Sequence, residues 1–234
     1  MPLFFTFAKS GISLIRTVLE EYCEQKSIPF HNTWESSIID CKSWHVMQVE
    51  GNEHYFFMQA ITKSENKSVG VFRDPRDQLI SAYYYYKKLN PWEDLSGYSK
   101  MYPSITLQQC VEQGIDDWNF WYEEFKSKNW NEMYFTLLSV DKDFLCVRLE
   151  NLCHPEHYRN EWKKISEWTN LPGLDEIAIQ HSICNPKFKP PSHVRSNGRK
   201  QDWDKIIDSG VLLRMEREMA SYIDLLNKLC PLYD

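Results

Sequence analysis

Long apolar runs are missing from this 234-residue chain. The first apolar stretch ends at Lys9 and has no basic residues ahead of it. It is too short for a signal core or a membrane span, and no other stretch reaches spanning length. Excess positive charge is also missing: the net charge is -6 and the pI about 5.7. A polynucleotide partner is therefore not expected, although local arginines and lysines could still hold a small polyanion. No C-x-x-C pair occurs among the seven cysteines, and several sit inside apolar runs such as Phe144-Leu145-Cys146-Val147. They read as reduced core thiols of a cytoplasmic protein, and no cluster with metal-ligand spacing is seen. The acceptor pattern Asn66-Lys67-Ser68 carries no weight without a secretory signal.

Short strands alternating with helices are present. Residues 3–8 read as a buried strand, followed by a helix over 13–25 whose inward stripe is Ile15, Val18, Leu19 and Tyr22. A second strand begins around Pro29-Phe30-His31. The segment 34–66 is hard to assign, with 55–58 as its one plausible strand. Residues 69–72 form another buried strand ending at Arg73. The next helix has clear start signals: Asp74 as cap, Pro75 at the first helical position, and Asp77 three residues beyond the cap. Its inward face is expected at Leu79, Ala82, Tyr83 and Tyr86. Residues 90–104 read as a loop, 107–125 as an aromatic helical region and 144–149 as a strand. A helix outlined by Tyr158, Trp162, Ile165 and Trp168 follows, then a mobile loop over 185–202 and one last helix over 212–229. The expected fold is α/β: a single domain over 1–234 with a mostly parallel central sheet flanked by helices.

Two strand-to-helix turns carry the chemistry. Lys9-Ser10-Gly11 joins the first strand to the first helix. Backbone N–H groups at a helix start, and the positive end of its dipole, make such a turn an anion site, and Lys9 adds a full charge. The triphosphatase loop G-x-x-x-x-G-K-[ST] occurs nowhere. The lysine-first order fits phosphate binding and speaks against ATP hydrolysis. The second turn is Arg73-Asp74-Pro75-Arg76-Asp77, with Ser81 two helical turns on. Arginine at the carboxyl end of a strand can grip phosphate bidentately, and a serine hydroxyl adds a donor. A helix cap with internal ion pairs explains Asp74 and Asp77 equally well. Together the turns suggest a ligand with two separated phosphates.

The stretches Thr6-Phe7-Ala8-Lys9-Ser10-Gly11 and Val71-Phe72-Arg73-Asp74-Pro75-Arg76-Asp77 through Ser81 resemble the two cofactor motifs of the PAPS-dependent sulfotransferases. PAPS is 3′-phosphoadenosine 5′-phosphosulfate. Val147-Arg148-Leu149-Glu150-Asn151-Leu152 resembles the family's V-R-Y-E-D-L strand. Val194-Arg195 through Gly198-Arg199 to Asp202-Trp203 resembles its late R-K-G-x-x-G-D-W loop. The resemblance implies the P-loop-kinase-like sulfotransferase fold, with PAPS as cofactor and PAP as product. It implies that Lys9 and the amides of Ser10, Gly11, Ile12 and Ser13 hold the 5′-phosphosulfate. Arg73 and Ser81 would hold the 3′-phosphate, and Arg195, Gly198 and Arg199 would close over it. Lys9 would also stabilise charge on the departing 5′-phosphate oxygen, with no metal required.

Departures from the family pattern are local. Ile12, Ser13 and Leu14 stand where the small-molecule branch has T-T-W, and Leu149 replaces a tyrosine, so both usual adenine contacts are changed. The family's K-T-H base setting is missing. His31 is the leading candidate base, with Glu35, His45 and His54 as alternatives. The branch's dimer motif is not seen near the C-terminus, so a monomer or weak homodimer is expected, acting on a small-molecule acceptor with no nucleic-acid or membrane partner. A nucleotide or nucleoside kinase-like phosphotransferase and a non-catalytic nucleotide-binding module remain as rival readings.

Overall fold

The computed structural model describes residues 2–6, 10–33, 46–50, 67–88, 106–120, 144–182 and 203–233. Five strands, β1 (Leu3–Thr6), β2 (Phe30–Thr33), β3 (Val46–Glu50), β4 (Ser68–Phe72) and β5 (Phe144–Arg148), form one sheet in the order β2-β3-β1-β4-β5. Every pairing is parallel. The α/β reading with a parallel central sheet therefore holds. β1 is central and buried throughout, as its unbroken Leu-Phe-Phe-Thr run requires in a sheet covered on both faces. Phe4 joins Val69, Val71 and Val147 in one core, while Leu3 and Phe5 alternate to the other face.

Helix α1 (Ile12–Lys26) covers the first face with the expected stripe Ile15, Val18, Leu19 and Tyr22, all buried. Each such side chain contributes roughly 1.5–3 kcal/mol of burial. Helices α5 (Tyr158–Thr169) and α6 (Leu174–His181) complete that layer through Trp162, Ile165, Leu174, Ile177 and Ala178. A second cluster joins α2 (Pro75–Lys88), α3 (Leu107–Phe120), α7 (Trp203–Ile206), α8 (Ser209–Glu218) and α9 (Ala220–Leu229) around Ile80, Val111, Ile115, Met215 and Met219. A single helical turn, α4 (Leu149–Leu152), follows β5 directly. No described helix is long and apolar enough to cross a membrane. The five described cysteines, Cys23, Cys110, Cys146, Cys153 and Cys230, are free thiols, buried except for half-buried Cys146. Cys41 and Cys184 lie outside the described residues.

Several sequence expectations need correction. The unassigned segment contains β3, and the strand expected at 55–58 lies outside the described residues. Helix α6 was not foreseen, although Leu174, Ile177 and Ala178 keep helical spacing. The strand expected to run to 149 stops at Arg148, because Leu149 begins α4. The last helix starts earlier and bends at Met219, which is buried. The bonds from Met219 N to Met215 O and from Ile223 N to Met219 O, both 2.9 Å, persist through the bend. On α2, Ile80 and Tyr83 are buried and Leu79 is half-buried at the edge of the second cluster; the side chains of Ala82 and Tyr86 lie outside the described ones.

Candidate functional site

From β1 the chain crosses to β2 on one side; from β4 it crosses to β5 on the other. The crevice beyond the carboxyl ends of β1 and β4 is thus the topological switch point of the sheet, where open α/β folds bind ligands. Both motif turns open onto it. Gly11 caps α1 at φ +98°, a left-handed conformation that glycine adopts without strain. A Cβ built there would lie 2.6 Å from Leu149 Cδ1, so the turn also needs glycine to let Leu149 pack over it. The first intrahelical bond of α1 runs from Ile15 N to Gly11 O at 3.0 Å. First-turn amides of such a helix have no acceptor within it, and they face the crevice end. Ser10 is fully buried and its Oγ accepts a 2.7 Å hydrogen bond from Gln78 Nε2. Ile12 is half-buried and Ser13 exposed.

Gln78 belongs to α2, so this bond ties the two motif turns together. Ser81 follows Gln78 by one helical turn and shares its face. That face looks toward the Ser10 turn, with Ser81 half-buried on it. Arg73 stands one residue past the end of β4 and is only 3% exposed. Asp74 caps α2 as expected, accepting from Arg76 N at 3.0 Å while its carbonyl accepts from Gln78 N at 3.0 Å.

Around these residues lies a buried ionic network. Asp74 Oδ2 accepts from Arg76 at 2.8 Å and from Arg148 at 3.3 Å. Arg148 also donates to Glu150 Oε2 at 3.3 Å and to Asn227 Oδ1 at 2.7 Å. Arg73 Nε lies 3.9 Å from Glu150 Oε1. Burial pushes the Glu150 carboxyl up to about 7, against the lowering effect of Arg148, Arg73 and the Asp74 N–H. The V-R-L-E-N-L segment thus has its two charged residues braced against the second motif rather than turned to solvent.

Trp203, the first residue of α7, also docks here. Trp203 Nε1 donates to Asp77 Oδ1 at 2.7 Å, and the Arg76 guanidinium lies 3.7 Å over the indole ring. Asp77, in the first turn of α2 as expected, thus also holds Trp203. Asp77 is itself fully buried.

Lys9, Arg195, Gly198, Arg199, Glu35 and His54 lie outside the described residues, as does His45. Strand β2 pairs His31 with Met47, which pairs with Leu3. His31 is thereby level with the start of β1, about 10 Å back from its Thr6 end. The register does not bring it to the Ser10 turn. Gln78, Tyr222 and Asn227 were not singled out from sequence. For Gln78 the signal existed: it is the polar residue between Asp74 and Ser81 at helical spacing. A shallow groove of about 360 Å³ on α5, lined by His157, Lys163, Lys164 and Tyr233 among others, shares no residue with this crevice. Among the described residues, no three His, Cys, Asp or Glu side chains group as metal ligands.

Neither the family models nor the curated proteins compared with the chain match it. Solved structures do. The crystal structure of the mouse sulfotransferase SULT7A1 complexed with PAP superposes with a TM-score of 0.65, covering 97% of this chain and 86% of that chain. Sequence identity is 14%. At that distance the likeness is one of fold, and this chain has the P-loop-kinase-like fold of that sulfotransferase.

Proposed function

We propose that the chain is a PAPS-dependent sulfotransferase, moving a sulfuryl group to a hydroxyl or amine of a small acceptor. The observation that carries this reading is the Ser10–Gln78 bond, which unites two anion-suited turns at the switch point of the sheet. The shared fold with a PAP-bound sulfotransferase supports it. In this reading Lys9 and the amides of residues 10–13 hold the 5′-phosphosulfate, while Arg73 and Ser81 hold the 3′-phosphate. Arg195, Gly198 and Arg199 add to the 3′-phosphate site. An acceptor attacks sulfur in line, and Lys9 stabilises charge on the departing phosphate oxygen. For the proton of the acceptor, Glu35 becomes a better base than His31. It follows the carboxyl end of β2 at Thr33 by two residues, whereas His31 sits level with Leu3.

Titration with PAP tests the binding step. Lys9→Ala and Arg73→Ala should each weaken binding by about 10-fold or more, the scale of losing a charged hydrogen-bond partner. Unchanged affinity in both variants would sink the proposal. PAP release in a screen of phenols, alcohols and amines then tests turnover. Magnesium-dependent ATP turnover would instead favour a kinase, and PAP binding without transfer to any acceptor would favour a binding module.

A further inference from the structure

One peptide plane beside the crevice is held from both sides. The carbonyl of Arg73 and the N–H of Asp74 belong to the same planar unit. Tyr222 Oη, on α9, donates to that carbonyl at 3.2 Å. Glu150 Oε1, on α4, accepts from that N–H at 3.0 Å. The two side chains come from residues 149 and 76 positions away in sequence, and both are buried. Helix α2 does not need them to begin, because the Asp74 carboxylate and carbonyl already serve its first turn. Placing a phenol and a carboxylate in the interior carries a desolvation cost. What they fix is the peptide plane that follows Cα73, and with it ψ of Arg73 and φ of Asp74, so that the Arg73 backbone is anchored to α4 and α9 at the point where its side chain departs. Glu150 adds a second constraint, its carboxylate lying 3.9 Å from Arg73 Nε.

We infer that Tyr222 and Glu150 are positioning residues that aim Arg73 at the 3′-phosphate of the nucleotide. The inference rests on the reading of Arg73 as a ligand for that phosphate. It makes α9 part of the site without any contact to the ligand. Arg148 extends the same brace, since its guanidinium joins Asp74 and Glu150 to Asn227 of α9.

The test compares two nucleotides by calorimetric titration: PAP, and adenosine 5′-monophosphate, which lacks the 3′-phosphate. Tyr222→Phe removes one oxygen and keeps the ring. It should weaken PAP binding about fivefold, the scale of one hydrogen bond, and leave the monophosphate unchanged. Glu150→Gln keeps an acceptor for the Asp74 N–H but removes the carboxylate beside Arg73; titrated at pH 8, where Glu150 is ionised, it should show the same selective loss. In an Arg73→Ala background, Tyr222→Phe should have no further effect. A general structural role would lower affinity for both nucleotides together, and that result would overturn the inference, as would unchanged PAP affinity in Tyr222→Phe. A native protein that binds the two nucleotides equally would overturn the reading of Arg73 itself, and this inference with it.

Discussion

Gly11 shows how much a single residue can carry. Its left-handed backbone turns β1 into α1, and its missing side chain lets Leu149 close over the turn. An alanine at this position meets both obstacles. The backbone alone should cost about 1–2 kcal/mol, and displacement of Leu149 adds to that. Urea unfolding of Gly11→Ala should show this loss through a lower midpoint at unchanged slope, together with weaker PAP binding. The glycine was readable in the sequence as part of an anion-suited turn. Its second role was not, because Leu149 is 138 positions away and reads in sequence as the end of a strand. The same holds for Asp77: its spacing from Asp74 suggested a cap, while its partner Trp203 is 126 residues distant.

At the level of elements, the parts legible in the sequence were those with a local signal. The stripe of α1, the start of α2 at Asp74-Pro75 and the short apolar run of β4 each declare themselves within about ten residues. Strand β3 does not. Val46-Met47-Gln48-Val49-Glu50 has two β-branched residues and ends in a charge, and only its place between β1 and β2 makes it a strand. The bend at Met219 has no proline or glycine to announce it. The start of α7 is tied to α2 by Trp203, through a hydrogen bond to Asp77 and stacking on Arg76. Trp203→Phe keeps most of the packing but removes the donor to a buried carboxylate. It should destabilise the protein by about 1–3 kcal/mol in denaturant unfolding. If the change is within error, the Trp203–Asp77 bond is not a working tie between these elements.

Across the whole molecule, buried charges join the ends of β4 and β5, the start of α2 and the last helix. Glu150 is the group in this network whose protonation should be felt in overall stability. Its carboxyl titrates near 7 when folded, against an ordinary value of 4.5. The folded state therefore holds this proton more tightly than the unfolded chain. The contribution is fully present below about pH 4.5 and is lost as pH rises through about 7. Unfolding free energy measured from pH 4.5 to 8 should fall more steeply with pH in the native protein than in Glu150→Gln, where this proton is gone. Parallel curves for the two proteins would contradict the assignment. The site is also spread widely along the chain. Ser10 and Gly11 come near its beginning, Arg73 a third of the way along, Arg148 and Glu150 beyond the middle, and Tyr222 and Asn227 in the last helix. The clamp on the Arg73–Asp74 peptide therefore has a consequence for biosynthesis. A nascent chain that has already paired β1 with β4 still lacks the phenol and the amide that complete the brace. In the proposed function, full affinity for a 3′-phosphate is therefore expected only once the last helix has docked.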